Sequence, residues 1–170
     1  MKLLALDCSR SIGWCFFADA KAKPTCRTWK AADTWASDLY GSYFSEFEVW
    51  LNDALMRFTP DVLAFESPIL MPRVAGRGTD ERQVRRMVGV AAIIEKVAYD
   101  RRVRCFEVNN RVAKAFVGLG PYKDKNGMIV AMTQKGFSVA DSHQSDACAV
   151  ALVVYDQIGG GSGFQIRGIR

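Results

Sequence analysis

Asp7 and Glu66 are the first candidates for chemistry. Each closes a short apolar run, Leu3-Leu4-Ala5-Leu6 before Asp7 and Val62-Leu63-Ala64-Phe65 before Glu66. Runs of this length predict buried strands, and in an open α/β sheet ligands bind beyond the strand ends. If the two strands are neighbours, both acids meet at one edge of the sheet. If they are not, each acid simply marks where its strand reaches solvent. A further acid lies in Ala140-Asp141-Ser142-His143-Gln144-Ser145-Asp146-Ala147, where His143 and Asp146 stand three apart and share one helical face. Asp141 or Ser142 suits the N-cap of that helix. Capping does not account for Asp146, an acid among small residues one turn further in. His143 is the only histidine, so most zinc-enzyme and Ser–His readings fail unless that one residue carries them.

These residues need a framework. Residues 2–7 and Ile12 to Ala18 predict a hairpin around the polar turn Cys8-Ser9-Arg10-Ser11, and Thr25 to Lys30 predicts a third strand. Ser37 to Phe58 repeats Leu39, Tyr43, Phe47, Trp50, Leu51 and Leu55 at helical spacing, ended by Thr59-Pro60. Asp61 to Glu66 is the fourth strand, followed by a Pro/Gly/Arg-rich loop to about Thr79. Thr79 or Asp80 caps a long helix to about Tyr99, and Val103 to Val108 is the fifth strand. Short helices follow from Asn109-Asn110 and over Lys125 to Lys135. The last helix, from Ser142 to Gln157, is seated by Ala147, Val150, Ala151 and Val154. The order βββ-α-β-α-β-α-α-α predicts an α/β fold: a five-stranded mixed sheet, antiparallel meander first, with helices on both faces. One domain covers residues 1–157. Residues 158–170, with Gly159-Gly160-Gly161-Ser162-Gly163, Arg167 and Arg170, are expected to form a loose basic tail.

The 170 residues suit one domain, and 49% hydrophobic content is enough to fill its core. No apolar run approaches a membrane span, and the N-terminal run, interrupted by Asp7, is too short for a signal peptide. The expectation is a soluble, cytoplasmic protein. A net charge of +5 leans toward nucleic acid. Cys8, Cys15, Cys26, Cys105 and Cys148 show no paired spacing and lie in apolar segments, so all five are expected to be reduced core residues rather than a zinc site.

The ordered set of motifs resembles the RuvC-like Holliday-junction resolvases of the ribonuclease H-like superfamily, particularly the compact phage-type members. The pieces are Leu-Ala-Leu-Asp7-x-Ser9-x-x-x-Gly13-Trp14, Ala-Phe-Glu66, Lys114-Ala-Phe-Val-Gly-Leu-Gly120 with Lys125 beyond it, and His143-x-x-Asp146-Ala-x-Ala. They cover residues 1–155 in the family's order. The family's Asp-Pro-Gly-Ser turn is replaced by Asp7-Cys8-Ser9-Arg10-Ser11. Its loop aromatic is replaced by Ile69, Leu70 or Met71, apolar residues that can wedge between bases.

The resemblance implies a metal-dependent endonuclease that cuts branched DNA by two-metal phosphodiester hydrolysis. Two divalent ions about 3.5–4 Å apart serve the attacking and leaving oxygens. Asp7 would bridge them, with Glu66 on one side and Asp146 with His143 on the other; Asp141 is the reserve fourth ligand. The ions are Mg²⁺ or Mn²⁺, and the imidazole favours Mn²⁺ supporting activity at least as well. No organic cofactor and no membrane partner are implied. Lys125 belongs with the catalytic residues. Backbone phosphates are expected on Ser9, Arg73, Arg77, Arg82, Arg85, Arg86, Lys114, Lys123 and Lys125, with Arg82, Arg85 and Arg86 on one helical face. The family is dimeric, as two opposed cuts require, with the helix from Asp80 to Tyr99 as the dimer surface. A flap or RNA–DNA hybrid nuclease, or a protein that binds junctions without cutting, remains open.

Overall fold

A computed structural model describes residues 1–32, 40–68, 81–118, 125–159 and 167–169. The meander comes first: β1 (Leu3–Leu6), β2 (Ile12–Phe17) and β3 (Thr25–Trp29). Next come α1 (Gly41–Phe58), β4 (Val62–Glu66), α2 (Glu81–Asp100) and β5 (Arg104–Val108). The chain then forms α3 (Asn110–Phe116), α4 (Lys125–Gln134), α5 (Ser142–Ile158) and β6 (Arg167–Ile169). The sheet order is β3-β2-β1-β4-β5-β6, with β1, β4 and β5 parallel and the outer strands antiparallel to their neighbours.

The expected mixed sheet is present with one strand more. Arg167–Ile169 pairs antiparallel with β5, where the sequence suggested a loose tail. Three residues of ladder are too short to show hydrophobic alternation, which is why this strand leaves no signal in the sequence.

Two cores flank the sheet, and strand alternation decides which residues enter each. Leu4, Leu6 and Cys8, with Leu63 and Phe65, face the core built by α1 and α2. Leu3 and Ala5, with Val62 and Ala64, face the core built by α3, α4 and α5. The next residues in that second alternation are Asp7 and Glu66. Because β1 and β4 pair in the register Leu3↔Val62 to Leu6↔Phe65, one further step sets the two acids side by side, on the face that α5 covers.

The cysteine expectation needs correction. Cys15 and Cys26 form a disulfide, while Cys8, Cys105 and Cys148 are free and buried. The reason is register: β2 and β3 place Cys15 opposite Cys26, with Cα atoms 4.1 Å apart. A separation of 11 residues does not reveal a cross-strand pairing. Thiol titration of the denatured, unreduced protein should therefore find three free thiols, not five. Reduction should lower stability by up to about 3 kcal/mol, the loop-closure value for a bridge of this span.

Candidate active site

Asp7 and Glu66 are nearly fully buried, at 3% and 6% exposure. The hairpin that follows Asp7 is tight, with the Asp7 backbone N–H donating to the Gly13 carbonyl (2.9 Å). Gly13 in turn lets α5 approach: a Cβ there would lie 2.1 Å from the backbone carbon and oxygen of His143. The start of α5 is fixed by Asp141, the N-cap, which accepts from the Gln144 backbone N–H at 2.8 Å. One turn into the helix is Asp146. Asp7, Glu66 and Asp146 each bring a carboxylate oxygen within 4.8 Å of the others.

The surroundings hold these acids in place. His143 Nδ1 lies 2.8 Å from Asp7 Oδ2 and 2.9 Å from Ser9 Oγ, and Ser9 Oγ lies 2.7 Å from the same carboxylate oxygen. The His143 Nδ1 thus faces both the Asp7 carboxylate and the Ser9 hydroxyl. The Asn110 side-chain amide donates to Glu66 Oε1. Asn110 was not among the sequence candidates. It sits at the first position of α3, behind the Asn109 cap, and only the β4–β5 pairing shows that this point adjoins the end of β4.

Burial, then the charge of Asp7 and a hydrogen bond with it, then Asp146, push the Glu66 carboxyl well above its ordinary 4.5; Asn110 pulls the other way. Three crowded carboxylates with hard oxygen donors fit a divalent cation, which would supply the missing positive charge. A pH dependence follows. The folded state holds the Glu66 proton more tightly than the unfolded state, so without metal Glu66 costs stability progressively as pH rises above about 4.5. A bound cation reverses this by favouring the ionised form. Thermal unfolding should show Mg²⁺ raising Tm more at pH 8 than at pH 5, with a smaller difference between the two in Glu66→Gln.

The other candidates are distributed around this cluster. Asp141 is turned to other partners: it accepts from the Thr28 hydroxyl (2.6 Å) as well as from Gln144. Partial burial disfavours its charge, but the bonds from Thr28 and Gln144 outweigh it and hold the carboxyl below its usual range. Lys114 lies in the last turn of α3, half-buried, and Lys125 is the first residue of α4. Arg82 and Arg85 are exposed on α2. Arg86 departs from the phosphate-contacting face expected of it with Arg82 and Arg85: it is buried with Met87 and Val90, facing the core, and its Nε has no acceptor among the described residues. The helix rotation that buries Val90 and Ile94 carries Arg86 inward with them. Arg73, Arg77, Lys123 and the wedge candidates Ile69, Leu70 and Met71 lie outside the described residues.

The whole chain superposes on a solved structure of Thermus thermophilus RuvC in complex with a Holliday junction substrate, with TM-score 0.73, 15% identity and 99% of each chain covered. The chain has the RuvC fold. A second Thermus thermophilus RuvC structure gives TM-score 0.70 at 14% identity, covering 99% of this chain and 100% of that one. The yeast mitochondrial Holliday junction resolvase Ydc2 gives 0.61 at 13% identity, over 88% of this chain and 75% of the other. No family model and no curated protein sequence matches the chain. Sequence divergence of this depth leaves the RuvC fold intact because alternation and register, not particular side chains, maintain the two cores. No helix among the described residues is long and apolar enough to cross a membrane.

Proposed function

We propose that the protein is a divalent-metal-dependent endonuclease that resolves four-way DNA junctions by paired nicks, acting as a homodimer. The observation that carries this reading is the convergence of Asp7, Glu66 and Asp146 within 4.8 Å at the strand ends of a RuvC fold. Mg²⁺ or Mn²⁺ held by these carboxylates would supply charge for the phosphate oxygens and acidify water. The chain's own residues do the rest. Ser9 and His143 fix the rotamer of Asp7, and Asn110 fixes that of Glu66. Lys114 and Lys125 neutralise the backbone near the cut, and Arg82 and Arg85 contact it further away. Exposed Val88 and Tyr99 on α2 suit a helix that meets its copy across a two-fold axis.

The test presents a labelled mobile four-way junction, a duplex, a flap and an RNA–DNA hybrid, each with Mg²⁺ or Mn²⁺. Symmetric nicks confined to the junction, with Mn²⁺ at least as effective as Mg²⁺, are expected. Cutting mainly of flap or hybrid would replace junction selectivity with another nuclease preference. Tight junction binding without any cut would overturn the nuclease reading altogether.

A further inference from the structure

We infer that the free edge of β3 is a second nucleic-acid contact, a groove that receives the sugar-phosphate backbone of the strand leaving the candidate active site. This rests on the nuclease reading for its choice of ligand, but the groove itself is defined by its own residues. An open cleft of about 790 Å³ runs between β3 and residues 138–141, lined by Thr25, Arg27, Thr28 and Lys30 on one side and by Ser138 and Asp141 on the other. Its volume lies in the range of ligand-holding clefts.

Three observations favour a polyanion there. First, Arg27 and Lys30 are exposed and have no ion-pair partner among the described residues. The one acid in the lining, Asp141, is already engaged by Thr28 and by the N–H groups that begin α5, so its charge serves the helix end. Second, β3 is the edge of the sheet. Its outer backbone groups and the Thr25 and Ser138 hydroxyls supply neutral donors of the kind that phosphates accept from. Third, one end of the groove lies close to the hairpin that carries Asp7. The register Ile12↔Trp29 extends to set Lys30 beside Ser11, whose carbonyl accepts from Ser9 Oγ (2.6 Å), and Ser9 in turn touches Asp7. Arg27 and Lys30, three residues apart, lean to opposite faces of this edge strand. They would flank a backbone lying along the edge, separated by about 10 Å, roughly three nucleotides at the 3.4 Å rise of one strand. Lys114 lies on α3, which packs against α5 as β3 does, so the two cationic sites would hold one strand at two points around that helix.

The experiment measures binding of the labelled four-way junction and of a plain duplex across a salt series, in the Asp7→Asn chain so that no cleavage intervenes. Arg27→Gln with Lys30→Gln is expected to weaken junction binding about tenfold at 0.1 M salt. It should also lower the slope of log K against log salt by about 1.4–1.8, the loss of two phosphate contacts. Arg101→Gln with Arg104→Gln, an equal charge change at the opposite end of the sheet, should leave the slope unchanged. An unaltered slope in the Arg27/Lys30 variant overturns the inference and leaves the β3 edge to a peptide strand or to solvent. Equal losses in both variants overturn it too, since net charge alone would then explain the effect. If the unmutated chain cuts no substrate while only the Arg27/Lys30 slope falls, the nuclease reading fails and the groove stands.

Discussion

Asp7→Asn should abolish junction cutting while lowering junction affinity less than tenfold, or about 1.4 kcal/mol. Asp7 is the acid on which the rest converge: Glu66 and Asp146 lie within 4.8 Å, and His143 and Ser9 bond its Oδ2. The substitution keeps the shape and both hydrogen-bonding positions but removes one of the negative charges that hold the cation. Most binding energy comes from dispersed phosphate contacts, which the change does not touch. The same variant should be more stable than the parent in metal-free buffer near neutral pH, because it relieves the repulsion that Glu66 experiences in its buried position. Higher Tm with lost activity is the expected signature of an acid retained for function at a cost in stability. Cleavage at the parent rate would remove Asp7 from the site.

The second large effect is expected at a residue that bears no chemistry. Gly13→Ala would place a methyl group 2.1 Å from the backbone of His143 and 2.7 Å from the Gln144 nitrogen. Backbone on both sides cannot rotate out of the way, so β2 and α5 must separate. We expect a loss of about 3 kcal/mol, at the upper end for overpacking, measured by denaturant unfolding. Displacement of α5 carries Asp146 and His143 away from Asp7 together, so residual folded protein should cut at least about a hundredfold more slowly, as a misplacement of about 1 Å can do. A contrasting Gly41→Ala, where a Cβ meets nothing within 4 Å, should be neutral or slightly stabilising.

Much of this arrangement was legible in the residues. Apolar runs ending in Asp7 and Glu66 declared both strands and their polarity, and small residues from Ala147 onward declared the buried helix that carries Asp146. Those signals survive because a parallel pair buried on both faces needs continuous apolar sequence. What escaped depends on relations between distant segments. The Cys15–Cys26 bridge required the register of β2 against β3. The support of Glu66 by Asn110 required the neighbourhood of β4 and β5. Arg86 was expected on a DNA-facing surface with Arg82 and Arg85, because helical spacing gives a face but not which way that face turns. The groove beside β3 is formed by two segments more than a hundred residues apart, neither of which carries a motif.

The position of α5 has a consequence for how the protein comes into being. Asp7 is made well over a hundred residues before its partner Asp146 and the packing surface of Ala147, Cys148, Ala149, Val150 and Ala151, all wholly enclosed. Until that helix emerges, that side of the sheet lacks the element packed directly on it and the two strand acids have no third companion. A nascent or truncated chain ending before residue 140 would lack Asp146 and His143, so on the proposed reading it could not complete the cation site or cut nucleic acid.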